Sequence, residues 1–235
     1  MASSDPRVLI WDIESTNLKA TFGIILCIGW KWLGEQKVNM LGERAKNGLV
    51  GDEKTTTEFA KVFDRCDYHV TWYGKRFDLP MVQSKLIKYG QKPLPKKPHV
   101  DLYDTAKHQF KLHSNRLQVW QEYLKVSNEK TPIDFEAWLQ AAAGWGPALK
   151  KVYRHCKKDV LVLEDVFLKM RPWIANIPLV RAGMVCVACG SQNLIKNGRR
   201  LTVRKWYQRY QCMDCGRWSR GTEALVESSH RMVNE

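Results

Sequence analysis

The sequence predicts an α/β fold: a mixed β-sheet flanked by helices, then a small four-cysteine unit at the C-terminus. Three observations carry this. Short apolar runs rich in Val, Ile and Trp dominate residues 8–73. Helical periodicity dominates residues 78–170. Four of the seven cysteines then fall in two C-x-x-C-G pairs.

The elements follow in order. In "VLIWDIE" (8–14), Val8, Ile10, Asp12 and Glu14 share one face and Leu9, Trp11 and Ile13 the other. Both faces are apolar up to Asp12, as in a strand covered on both sides. "GIILCIGW" (23–30) reads as a second buried strand and "KVNML" (37–41) as a third. "TTTEFAKVFDRC" (55–66) reads as a helix opened by a capping box, Thr55-x-x-Glu58. "YHVTWY" (68–73) is the next strand, "GKRFD" a tight loop, and "LPMVQSKLIKYG" (79–90) a short helix ended by Gly90. The Pro- and Lys-rich "QKPLPKKPH" is a loop; "VDLYDTAKHQFKL" (100–112) and "LQVWQEYLKV" (117–126) read as helical. Residues 146–170 form one long helix, with Pro147 in its first turn and Arg171-Pro172 at its end. The expected division is 1–175 for the α/β domain, 176–183 for a linker, and 184–235 for the cysteine unit with a frayed polar tail from Thr222.

Composition narrows the partners. With 44% hydrophobic residues among 235, a packed core is expected rather than disorder. A net charge of +14 favours a polyanion, nucleic acid before an anionic membrane surface. The longest apolar stretch, Ile24–Trp30, is far below the roughly 20 residues a membrane span needs. "MASSDPR" has no apolar signal core. A soluble, cytoplasmic protein is expected, in a bacterial or phage-infected cell. Its oligomeric state is not legible. Cys27, Cys66 and Cys156 are scattered and read as ordinary buried thiols.

Carboxylates at the end of a core strand need explaining. Side chains at i and i+2 lie about 7 Å apart on one face. Asp12 and Glu14 would repel there unless a cation sits between them, and hard oxygen ligands suit Mg²⁺ or Mn²⁺. The alternative is a solvated strand end. Asp78 follows a strand at a strand-to-helix corner; the alternative for it is a helix N-cap. His155 and Asp159 are i, i+4 on the long helix and share a face beside Val152, Val162 and Val166. The alternative for Asp159 is a salt bridge.

The order D-x-E in "WDIES", F-D in "YGKRFDLP" and H-x-x-x-D in "HCKKDV" resembles the DnaQ-like 3′–5′ exonucleases of the RNase H-like superfamily, over residues 7 to about 170. The second motif is similar to the N-G-x-x-F-D-x-P form of family-B DNA polymerase proofreading domains. The resemblance implies an RNase H-like sheet and four metal-binding acids, Asp12, Glu14, Asp78 and Asp159. They would hold two Mg²⁺ or Mn²⁺ ions for phosphodiester hydrolysis. That family places a water-activating Tyr four residues before the last Asp, or a His five before. Here His155 stands four before and is the expected base, with Tyr153 the competing candidate.

Cys186, Cys189, Cys212 and Cys215 form two knuckles separated by 22 residues, the donor set of a structural Zn²⁺. The stretch between them looks like the zinc ribbons of insertion-sequence transposases, in "CGSQNLIKNGRR" and "RYQC". Residues 181–235 carry ten Lys and Arg against four Asp and Glu. Arg199, Arg200, Arg204, Lys205, Trp206, Tyr207 and Arg209 interleave cations with rings, a pattern suited to phosphates and bases. Alternation of Trp206, Gln208 and Tyr210 can equally form the hairpin's packed face. The expected function is a metal-dependent 3′–5′ exonuclease on nucleic acid, DNA favoured over RNA. Its ribbon grips substrate or docks to a replication or repair protein. The alternatives are an RNase H-like endonuclease or recombination nuclease, and a non-catalytic nucleic-acid adaptor.

Overall fold

Strand β1 (Val8–Ser15) is the centre of a five-stranded sheet in a structure, here a computed structural model, that describes residues 6–44, 50–128, 133–178 and 183–225. On one side β1 pairs antiparallel with β2 (Ile25–Trp32), which pairs antiparallel with β3 (Asn39–Leu41). A short antiparallel pair of two-residue strands, β4 (Glu43–Arg44) and β5 (Val50–Gly51), precedes helix α1 (Glu53–Asp64). On its other side β1 pairs parallel with β6 (Tyr68–Thr71). After helix α2 (Asp78–Lys88), β7 (His99–Asp101) adds in parallel to β6. Helices α3 (Leu102–Gln109), α4 (Leu117–Leu124), α5 (Phe135–Ala142) and α6 (Gly146–Met170) follow. The sheet is mixed and helices cover it, as expected.

The two-residue period of β1 decides which layer each residue meets. Leu9, Trp11 and Ile13 pack with Phe59, Phe63, Met81 and Val82 of α1 and α2. Val8 and Ile10 pack with Val160, Leu163 and Val166 of α6. Asp12 and Glu14 continue the α6 face. The first residues of β1 are closed on both sides, with Val8 through Trp11 at 1% exposure or less.

Several local expectations are corrected. The capping box does not form: α1 starts at Glu53, before Thr55, and Thr55 is buried in the helix. The Asp52 carboxylate at the N-cap is engaged elsewhere, accepting from Ile25 N at 2.9 Å and facing buried Lys85 at 3.1 Å. Lys85 also donates to Ala20 O and Gly23 O, tying the β1–β2 loop to α2. Residues 99–101 are a strand rather than the start of a helix, and the Asp101 side chain caps α3 by accepting from Tyr103 N. The helix α5 carries no strong sequence cue beyond Asp134, which caps it by accepting from Ala137 N.

A second, three-stranded antiparallel sheet follows, β8 (Leu194–Leu201), β9 (Trp206–Cys212) and β10 (Trp218–Ala224). Thr222–Ala224 are therefore strand and not tail; the rest of the expected tail, and residues 179–182 of the expected linker, lie outside the described residues. This unit's buried apolar cluster is Cys186, Ala188 and Cys212. Arg217 fastens it to the turn after α6, donating to Pro172 O at 2.8 Å and Ala175 O at 3.3 Å. Among the described residues, no helix is long and apolar enough to cross a membrane.

Candidate active site

The approach of α6 to the sheet depends on a residue without a side chain. Gly29 pairs with Asp12 in the β1–β2 ladder. A Cβ there would lie 2.8 Å from Cys156 Sγ and 3.1 Å from Val160 Cγ2. Helix α6 thus rests on bare strand. The Cys156 thiol, pushed far up by burial and so kept protonated, lies 3.7 Å from Asp12 O as its donor. His155 and Asp159, each the residue just before one of these contacts, are four apart and so share a face beside β1.

His155 Nε2 lies 3.6 Å from Glu14 Oε1 and 3.8 Å from Asp159 Oδ2. Glu14, His155 and Asp159 offer ligand atoms within 4.8 Å of one another, and so do Asp12, Glu14 and Cys156. Strand and helix acids that are far apart in sequence are thus gathered at one point. Asp78 falls outside these two groupings, one step toward β6. It is the first residue of α2 rather than its N-cap. Beyond Ile10 the pairing with β6 stops, and Asp78 Oδ1 accepts the N–H of Ile13 at 3.1 Å in place of a ladder partner. Burial pushes the Asp78 carboxyl up to about 7 against the pull of that N–H, and the charge of Asp101 adds to the rise. Tyr153 faces elsewhere, packed in the cluster of Leu26, Val50 and Val152, with its hydroxyl where a Cβ on Gly42 would sit.

Asp12 and Asp159 open onto a cavity of about 540 Å³ whose far wall includes Trp72, Tyr73, Tyr103, Asn115 and Arg116. Tyr73 and Tyr103 meet edge to face at 4.8 Å between centroids. Tyr73 has φ +68°, a left-handed conformation that costs a bulky residue roughly 1–3 kcal/mol. It is held by the Asp101 carboxylate, which accepts from Tyr73 N at 2.8 Å and Lys75 N at 3.0 Å. Asp101, Gly29 and this aromatic wall were not singled out from sequence. The signal for Asp101 lay in "HVDLYD", where an Asp precedes a helix; Gly29 and the wall depend on pairings across the fold.

At the other end of the chain, Cys186, Cys189, Cys212 and Cys215 also gather within 4.8 Å. Cys186 and Cys215 Sγ are 3.6 Å apart, Cys189 and Cys212 Sγ 3.7 Å. That is too far for disulfides. It fits the roughly 3.8 Å edge of a tetrahedron with metal–sulfur bonds of about 2.3 Å. Burial would raise Cys212, but the N–H groups of Cys215 and Asp214 outweigh it and bring the thiol down to about 7. The expected nucleic-acid residues are spread over this sheet: Arg200 lies opposite Tyr207, Arg199 opposite Gln208, and Arg204 and Lys205 in the β8–β9 turn.

A mixed sheet in the order β3-β2-β1-β6-β7, with acids from its central strand meeting Asp159 and His155 of a crossing helix, defines an RNase H-like α/β protein. The family model RNase_H_2 of the RNase H superfamily matches residues 9–171, and the chain belongs to that superfamily. A solved family B DNA polymerase from the hyperthermophilic archaeon Pyrobaculum calidifontis has a similar fold, at 17% identity and a TM-score of 0.57. The match covers 72% of this chain and 26% of the polymerase, about a quarter of its length. No curated protein matches the chain.

Proposed function

We propose that the protein is a divalent-metal-dependent 3′–5′ exonuclease, with DNA favoured over RNA, built as a nuclease domain (1–175), a linker (176–183) and a zinc ribbon (184–235). The observation that carries this is the convergence of Asp12 and Glu14 with His155 and Asp159 beside a cavity walled by Tyr73, Tyr103 and Arg116. Asp12, Glu14, Asp159 and the neighbouring Asp78 form a hard-oxygen donor set suited to two Mg²⁺ or Mn²⁺ ions. Bound there, such ions would supply Lewis-acid stabilisation of the phosphoryl and leaving oxygens. His155 Nε2, 3.6 Å from Glu14 Oε1, would accept the proton of the attacking water. Tyr73 and Tyr103 offer faces to the terminal bases, and Arg116 a guanidinium to the backbone. The four thiolates would hold one Zn²⁺, and the basic ribbon would grip the substrate or dock to a replication or repair protein.

The test is product analysis on a linear single strand labelled at its 5′ end, beside a closed circular strand, in Mg²⁺ or Mn²⁺. A descending ladder, an intact circle and an inactive Asp12→Ala variant are expected. Cutting of the circle would replace this reading with an endonuclease. Binding without cutting of either would leave an adaptor.

A further inference from the structure

The register of the ribbon sheet sorts its side chains by face. Arg200 pairs with Tyr207, Arg209 with Arg220, and Gln211 with Trp218. Directly opposite residues of an antiparallel pair project to one side, and 207, 209 and 211 alternate with 206, 208 and 210. One face therefore carries Arg200, Tyr207, Arg209, Trp218 and Arg220, while Arg199 and Trp206 point to the other. On the first face cations and rings interlock: Arg209 lies 4.2 Å over the Trp218 ring, and Arg220 4.2 Å over the Tyr207 ring.

This face borders a cavity of about 870 Å³ whose opposite wall is the segment after α6, with Trp173 and Asn176. Arg200, Arg217 and Arg220 line it, together with Trp173 and Trp218, and among the described residues its lining contains no carboxylate. Both indoles are open to solvent, Trp173 at 51% and Trp218 at 42%. Gln109, Ala175 and Asn176 also line a second cavity of about 240 Å³, which adds Lys75 and His108. Its acid Asp104 is paired with Lys75 at 2.9 Å and Arg76 at 2.7 Å, and Asp101 is occupied by backbone N–H groups. Arg76 lies 5.6 Å over the rings of both Tyr73 and Tyr103, at the wall of the Asp12–Asp159 cavity. The first two cavities thus share a wall, and Asp101 of the second holds Tyr73 of the third.

We infer that this groove between the ribbon and the α/β unit seats a single strand of nucleic acid, on the 5′ side of the end held at the acids. Guanidinium groups without a carboxylate among them select a polyanion. Solvent-exposed indoles select unpaired bases, because a duplex hides its base faces in the stack. The direction of the strand rests on the exonuclease reading; its seat does not.

The test is fluorescence anisotropy of the full chain with oligothymidylates of about 5 and about 20 nucleotides, spanning the roughly 4–16 nucleotides usual for such platforms. Divalent cation is omitted, so that nothing is cleaved. The longer strand is expected to bind more tightly than the shorter one and than a duplex of its own length. Arg200→Glu with Arg220→Glu should weaken the long strand at least about 10-fold and flatten the salt dependence of log K by about 1.4. Arg200→Glu alone serves if the pair fails to fold; Arg217 is left in place because it ties the two units. Trp173→Ala with Trp218→Ala should weaken binding roughly 30-fold or more at unchanged salt dependence. Tighter binding of oligouridylate would make the strand RNA and keep the groove. Wild-type affinity in the variants, or duplex binding equal to single-strand binding, would overturn the inference. Hydrolysis of thymidine 5′-monophosphate p-nitrophenyl ester in Mn²⁺, followed in the wild type, reads the acid cluster apart from the groove. Its absence in the wild type, with strand binding intact, would sink the exonuclease reading and leave the groove standing.

Discussion

Strands β1 and β9 each run down the middle of a sheet, and they are held there by different means. β1 is sealed between α6 on one face and α1 with α2 on the other. β9 is half-exposed from Trp206 to Gln211 and buried only at Cys212. A strand locked by packing on both faces can carry Asp12 and Glu14 at its end without losing its place. A strand with no such packing takes its order from the thiol cluster at its end, which leaves a whole face free for cations and rings.

The sharpest way to break this comparison is to withhold the zinc proposed for the four thiols. Structural zinc contributes about 10–16 kcal/mol to units of this kind. A zinc chelator is expected to melt the ribbon alone, read as loss of amide protection over residues 186–224 with that of β1 unchanged. A ribbon that stays protected after chelation would mean it is held by packing after all. On the β1 side, His155→Ala should lower turnover by about 10²–10⁴-fold with an unchanged melting temperature. Near wild-type turnover would remove the base from this position.

Acid offers a third probe, directed at the packed sheet only. Burial holds the His69 imidazole down at about 2, and the neighbouring His99 ring lowers it further; burial holds His99 at about 4. The rings stack at 3.9 Å between centroids, on β6 and β7. Unfolded, both would titrate near 6.5, so below that pH the unfolded chain binds more protons than the folded one. The α/β unit should lose stability as pH falls from about 6.5 toward 4, on the order of 3 kcal/mol from His99. Denaturant titrations across that window should show a slope that His99→Gln reduces; an unchanged slope would place the acid sensitivity elsewhere. The smallest effect is expected from Gly29→Ala. Overpacking against Cys156 and Val160 should cost roughly 1–3 kcal/mol and lower turnover by shifting α6 from β1. Full activity in that variant would mean that the helix is positioned by something other than this contact.

The same contrast separates what was legible in the sequence from what was not. β1, the long helix and the cysteine knuckles are written locally, in a two-residue period, a 25-residue amphipathic run and fixed spacings. The acids could be named because they interrupt those patterns. β7 is three residues long and shows no period; it is a strand because β6 lies beside it. β10 is mostly polar and becomes a strand only by pairing with β9. Gly29 looks like any strand glycine until α6 is laid on it. The aromatic wall and the groove draw on loops and strands far apart in the chain, and no local pattern could join them.

The contact between Cys156 and Asp12 spans 144 residues. At translation speeds of about 5–20 residues per second, the acids on β1 wait on the order of ten seconds for their partners on α6 to be made. Closing so long a loop is among the slower kinds of contact for a chain to form. A nascent chain therefore carries Asp12 and Glu14 beside its own messenger while those 144 residues are made, with nothing opposite to complete them. Assembly of the centre comes as a late event in the life of each molecule, and the topology of the sheet sets that timing.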